Sequence, residues 1–134
     1  MLTLSGVHTI GKARCSIFRS RLYNESNMDS AYATPLKKNC PSVGGDDNLS
    51  PLDGTDNLFD TTYFKDLVDS KGLLYSDQVL FNNASTDSQV QAYSVNSASF
   101  FSDFRDVMVK MGNLGSAPGT VQEIRSKCKK INTS

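Results

Sequence analysis

The sequence predicts a mainly α protein with long irregular loops and at most a short β pair. Three observations predict it. From Ser99 to Met111, the residues Phe100, Phe101, Phe104, Val107, Met108 and Met111 recur at the spacing of one helical stripe. From Asp60 onward, Tyr63, Phe64, Leu67 and Val68 fall on one face of a second helical segment. No convincing run alternates apolar and polar residues as a half-buried strand would, and there is no internal repeat.

In chain order, residues 1–6 read as the last turn of a helix stopped by Ser5-Gly6, with Gly6 suited to a left-handed exit. His8 is then expected on an irregular segment. Residues 13–23 carry Ile17, Phe18, Leu22 and Tyr23 among three arginines, a modest amphipathic pattern that predicts a short helix. Asp29 to Asn39 fits another. Residues 40–57 are rich in Pro, Gly, Asp and Asn without periodicity and read as loop. Asp60 is a good N-cap for the helix that Ser70-Lys71-Gly72 closes. Residues 76–82 predict a short helix, and Thr86-Asp87-Ser88-Gln89 matches a capping box ahead of Val90 and Tyr93. The stripe from Ser99 to Met111, stopped by Gly112-Asn113, is expected to be core, its methionines included.

A chain of 134 residues is long enough to bury a core of its own. Its 14 basic and 14 acidic side chains balance without a Lys/Arg stripe, which argues against a nucleic-acid surface. The basic group Arg125, Lys127, Lys129 and Lys130 reads as a solvated end. No stretch approaches the roughly 20 apolar residues of a membrane span, and the first residues lack the basic, then apolar, pattern of a secretory signal. Four N-x-S sequons begin at Asn24, Asn48, Asn83 and Asn132, a pattern that fits a glycosylated secreted protein, although Pro51 after Ser50 disfavours the second.

His8 is the only histidine. A lone imidazole cannot build a zinc site, which needs three or four protein ligands, but a porphyrin brings four nitrogens of its own, so one imidazole suffices to anchor haem iron. The run Leu4-Ser5-Gly6-Val7-His8-Thr9-Ile10-Gly11 resembles the proximal-histidine motif of the class III (secretory plant) haem peroxidases. The likeness continues through Cys15, Asn39-Cys40-Pro41, Pro51-Leu52-Asp53, Phe59-Asp60, Lys71-Gly72-Leu73-Leu74, Ser76 to Phe81, Met108 to Asn113 and Cys128. It covers nearly the whole chain but only the C-terminal half of the family's members. Residues 1–134 are therefore expected to form the proximal helical lobe of the haem peroxidase fold, with the distal half and signal peptide absent.

The resemblance implies H2O2-dependent oxidation of phenolic donors, haem b and Ca2+ as cofactors, and an extracellular or vacuolar location. It makes His8 the axial iron ligand and Asp77 the carboxylate that accepts its second ring proton, an arrangement that makes the imidazole more electron-rich. It puts Thr9, Asp53, Thr55, the Leu58 carbonyl and Asp60 around a calcium ion, which takes six to eight hard oxygen ligands. The interval from Asp53 to Thr55 is one residue shorter than in that family, so Asp56 competes with Asp53. Ile10 and Ile17 correspond to apolar positions near the haem. Cys15 and Cys40 correspond to a disulfide, and Cys128 to a cysteine whose partner lies in the other half. In the family a distal histidine and arginine handle the peroxide, and both belong to that half. This chain alone is thus expected to be a poor peroxidase, to be joined by a complementing N-terminal half or, as the alternative, to be a non-catalytic haem- or calcium-binding protein.

Overall fold

The computed structural model describes residues 1–83, 85–116, 118–119 and 123–132. About two clusters of buried side chains, seven α-helices are arranged among the described residues: α1 (Leu2–Ser5), α2 (Cys15–Asn24), α3 (Ser30–Asn39), α4 (Thr62–Val68), α5 (Tyr75–Gln78), α6 (Asp87–Val95) and α7 (Ser97–Gly112). A two-stranded antiparallel ribbon, β1 (Lys12–Arg14) with β2 (Leu49–Pro51), completes the architecture. The chain is thus mainly α, and none of the helices is long and apolar enough to cross a membrane.

The first cluster is built by α2, α3 and the segment leading into α5. Phe18, Leu22, Ala33, Leu36 and Leu73 pack around a disulfide between Cys15 and Cys40, whose Cα atoms are 5.3 Å apart. Asp29 starts α3 by accepting a 2.7 Å hydrogen bond from the Tyr32 amide, satisfying one of the donors a helix start leaves open. The second cluster joins α4, α6 and α7 through Tyr63, Phe64, Leu67, Val90, Tyr93 and Phe100, with Leu2 of α1 against its side. Its aromatic rings meet mostly tilted or edge-on; Phe64, for example, stands at 73° to Phe100 with centroids 4.9 Å apart. Buried polar links tie the two clusters. The Arg21 guanidinium donates through Nε to the Gly72 carbonyl, the Gly72 amide donates to Gln78 Oε1, and Gln78 Nε2 donates to the Leu67 carbonyl.

Several local expectations are corrected. Gly6 has φ −60°, so no left-handed exit requires it; the chain runs on into a 3-10 turn, Gly6–Thr9, that carries His8. The glycine is needed for space instead. A Cβ there would stand 2.6 Å from Phe100 Cε2 and 2.9 Å from Phe64 Cζ. The loop predicted over 40–57 contains β2, held in register as Lys12↔Pro51, Ala13↔Ser50 and Arg14↔Leu49. Three-residue strands are too short to display alternation. The helix expected at 76–82 is the single turn α5. The capping box at Thr86 does not form, because the Thr86 hydroxyl donates to the Leu80 carbonyl and leaves the helix start without a side-chain cap. Val68 is on the solvent side. The α7 stripe is core only in part: Phe100 is fully buried and Phe104 packs against the second cluster, but Phe101, Met108 and Met111 are each at least 40% exposed.

All four candidate glycosylation asparagines are exposed, though the sequons at Asn83 and Asn132 extend into residues outside those described. The exposed Cys128 is free.

Candidate functional site

The 3-10 turn presents His8 toward α5, and the side chain that meets it is Asp77. Nδ1 of His8 lies 3.0 Å from Oδ1 and 3.1 Å from Oδ2 of that carboxylate, 69 residues further along the chain. Asp77 is buried, whereas about a third of the His8 side chain remains exposed. An ionised carboxylate can only accept, so the ring proton resides on Nδ1 and the neutral imidazole keeps its lone pair on Nε2. Nε2 makes no hydrogen bond among the described residues. The hydrogen bond to Asp77 raises the His8 pKa above its ordinary 6.5; burial opposes the shift and the charge of Asp77 adds to it. A group so arranged is a fixed, electron-rich nitrogen donor with one open coordination position.

Asp77 is held by more than His8. The Tyr63 hydroxyl, from the first turn of α4, donates to Asp77 Oδ1 at 3.2 Å, and its ring stands edge-on to the imidazole at 81° with centroids 6.2 Å apart. The sequence places Tyr63 on the apolar face of a helical segment, and its ring is buried. The role of its hydroxyl is missed there. No spacing signal links it to an aspartate 14 residues away, and only the fold brings the two together.

One residue beyond His8, the Thr9 hydroxyl sits in a cage of oxygens. It lies 3.0 Å from Asp53 Oδ2, 3.3 Å from the Leu58 carbonyl and 3.3 Å from Asp60 Oδ1. Thr55 joins through its hydroxyl, which donates to Asp60 Oδ2 at 3.0 Å, and through its amide, which donates to Asp53 Oδ1. The ribbon delivers this loop. Backbone bonds from the Leu52 amide to the Gly11 carbonyl and from the Gly11 amide to the Asp56 carbonyl clamp residues 52–56 alongside the segment after His8. All five expected oxygen donors are therefore brought together. Asp56 is not among them: its carboxylate pairs with Lys12 Nζ at 3.1 Å and accepts from the Asn57 amide.

The electrostatics of the cage are unbalanced. Burial pushes the Asp53 carboxyl above its usual range; hydrogen bonds from Thr55 and Thr9 pull it back, while Asp60 and Asp56 add to the rise. Asp60 is pushed up by burial too, but hydrogen bonds from Thr62, Thr55 and Thr9 outweigh this and lower it overall. A hydroxyl has one proton, and three acceptor oxygens compete for that of Thr9. Among the described residues no group of three or more His, Cys, Asp or Glu side chains is gathered as for a metal, so the cage is built from two carboxylates, hydroxyls and a carbonyl. Ile10 and Ile17 are both exposed, as apolar positions facing a bound group would have to be.

The helical lobe thus offers one imidazole, backed by a buried carboxylate and flanked by an oxygen cage. The peroxidase family model matches residues 1–96. Curated relatives include Peroxidase 2 of Oryza sativa subsp. japonica, 55% identical over 98% of this chain but only 43% of its own length. A peroxidase of Triticum aestivum is 51% identical over 99% of this chain and 43% of its own. A peroxidase of Lupinus polyphyllus is 50% identical, with 98% of this chain and 85% of the relative aligned. The chain belongs to the class III plant peroxidase family, and it spans under half the length of the rice and wheat relatives.

Proposed function

We propose that this chain forms the proximal side of a haem peroxidase site, with His8 as the axial ligand and Asp77 as the acceptor that fixes its tautomer. The observation that carries the proposal is the bond from His8 Nδ1 to the buried Asp77 carboxylate, which leaves Nε2 as the only ring nitrogen free to bind iron. Haem held there supplies the iron at which a peroxide bond is broken and donor electrons are taken up. Asp77 draws the Nδ1 proton toward itself, so His8 offers more electron density than an unassisted imidazole. Ile10 and Ile17 are the exposed apolar side chains proposed to border the porphyrin.

The oxygen cage is proposed to hold Ca2+ through Thr9, Asp53, Thr55, the Leu58 carbonyl and Asp60. A cation would satisfy at once the three acceptors that compete for one hydroxyl proton, and it would offset the buried charge on Asp53. Because Thr9 adjoins His8, the ion would also steady the backbone of the axial ligand. The whole protein is proposed to act outside the cell or in the vacuole, using H2O2 to oxidise phenolic donors, with a complementing N-terminal half supplying the groups that act on the peroxide. His8 is the only histidine, which favours a second reading for this chain by itself: it binds haem and calcium without turnover, since no imidazole remains to move the peroxide's protons.

Addition of haemin tests the proposal. A Soret band that develops with the wild-type chain and is altered or lost in His8→Ala is expected; an identical spectrum for the two would refute the axial assignment. Guaiacol oxidation above that of free haemin separates a working peroxidase from the binding-only reading.

A further inference from the structure

We infer that Tyr63 is a positioning residue for the axial histidine, its hydroxyl sharing Asp77 with His8 and thereby setting how strongly the imidazole donates to iron. The inference rests on the reading of His8 as axial ligand. Both donors converge on the same oxygen: Asp77 Oδ1 is 3.0 Å from His8 Nδ1 and 3.2 Å from the Tyr63 hydroxyl. A carboxylate that receives two hydrogen bonds disperses its charge over both, and each bond is weaker than it would be alone. The phenol therefore moderates the pull of Asp77 on the Nδ1 proton.

Three further observations make Tyr63 a fixed part of the arrangement. It is 1% exposed, so water does not compete for its proton. Its ring is pinned edge-on between His8 and Phe64, at 81° and 76° respectively, which leaves the hydroxyl no other direction. Burial, with the charge of Asp77 and the bond to it, pushes the phenol far above its ordinary range. A tyrosine serving only to fill the core would be replaceable by phenylalanine without any change in the ligand's electronic character. This tyrosine is not.

The test uses the haemin-loaded chain, reduced to the ferrous state, with the iron–histidine stretching band and the ferric/ferrous potential as readouts. Tyr63→Phe releases Asp77 to His8 alone, so the band should shift to higher frequency and the potential should fall. Replacement of Tyr63 by 3-fluorotyrosine, a stronger donor of nearly the same size, should shift both the opposite way, and it decides the matter if the phenylalanine variant folds poorly. In an Asp77→Asn background, Tyr63→Phe should leave both readouts unmoved. A band and potential unchanged by Tyr63→Phe, or shifted equally in the Asp77→Asn background, would overturn the role of Tyr63 while leaving His8 in place. Absence of any His8-dependent band in the wild type would overturn the axial reading, and the role of Tyr63 with it.

Discussion

Replacing Gly6 with alanine should destabilise the chain by about 2 kcal/mol. The helical φ of −60° means that the backbone itself would welcome alanine, which is worth roughly 0.5–1 kcal/mol over glycine inside a helix. Against this stands the collision of the new methyl with Phe100 Cε2 at 2.6 Å, Phe100 Cζ at 2.7 Å and Phe64 Cζ at 2.9 Å, where ordinary contact begins at 3.4 Å. Neither ring can yield freely, since both are fully buried and packed edge-on to one another. Overpacking of this kind costs typically about 1–3 kcal/mol, and two interlocked rings put this case at the upper end. With a urea dependence of about 2 kcal/mol per M, the unfolding midpoint should fall by about 1 M. Gly112→Ala is the control: nothing lies within 4 Å of its Cβ, so it should be neutral or slightly stabilising. Phe100→Leu removes the far ring atoms and should absorb part of the Gly6→Ala penalty, a coupling of about 1 kcal/mol in a double-mutant cycle. If Gly6→Ala unfolds at or above the wild-type midpoint, space is not the reason for the glycine and the argument fails.

Reducing Cys15–Cys40 should lower stability by roughly 3 kcal/mol through the released loop entropy, read as a shift in urea unfolding with and without reductant; coincident curves would refute it. If the oxygen cage binds calcium, EGTA should lower the melting temperature by an amount matching about 2.7 kcal/mol when free calcium had stood at 100 times its dissociation constant, and Thr9→Val should abolish the effect. An EGTA effect that persists in Thr9→Val would put the ion elsewhere. The raised His8 pKa sets a pH dependence with a definite sign. In the haem-free chain, the contribution of the His8–Asp77 pair is complete below pH 6.5 and is lost as pH rises through the elevated folded value. Haem affinity should run the other way, because Nε2 must shed its proton, so binding weakens on acidification, and Asp77→Asn should move the onset of that weakening to lower pH. Haemin titrations at a series of pH values that show no loss of affinity on acidification, or the same onset in Asp77→Asn, would contradict the assignment.

What could be read from residues alone follows a physical division. The helix starting near Ser99 was legible because its apolar spacing is local, but its burial was not, since burial depends on what other elements cover it. Gly6 stands out in the sequence, but not its cause: left-handed turns and steric crowding both select glycine, and only the neighbouring rings distinguish them. Thr86 shows the converse, a local capping signal overridden when its hydroxyl found the Leu80 carbonyl. Within the site, His8 stood out by being solitary, while Asp77 and the oxygen donors came from a family likeness. Sequence separations of 44 to 69 residues carry no periodic trace of the contacts that join them. That Asp53 rather than Asp56 faces the Thr9 hydroxyl is visible only from the ribbon register and the Lys12 ion pair.

The bond between His8 and Asp77 lies where the two buried clusters meet. His8 sits on the turn packed against α4, and Asp77 stands between Leu73 and Leu74 of one cluster and Leu80 and Phe81 of the other. The pair is therefore a strain gauge. Any change that lets one cluster slide by a few tenths of an ångström, even loosening at the distant cystine, would alter the hydrogen bond between imidazole and carboxylate without touching a single residue beside it.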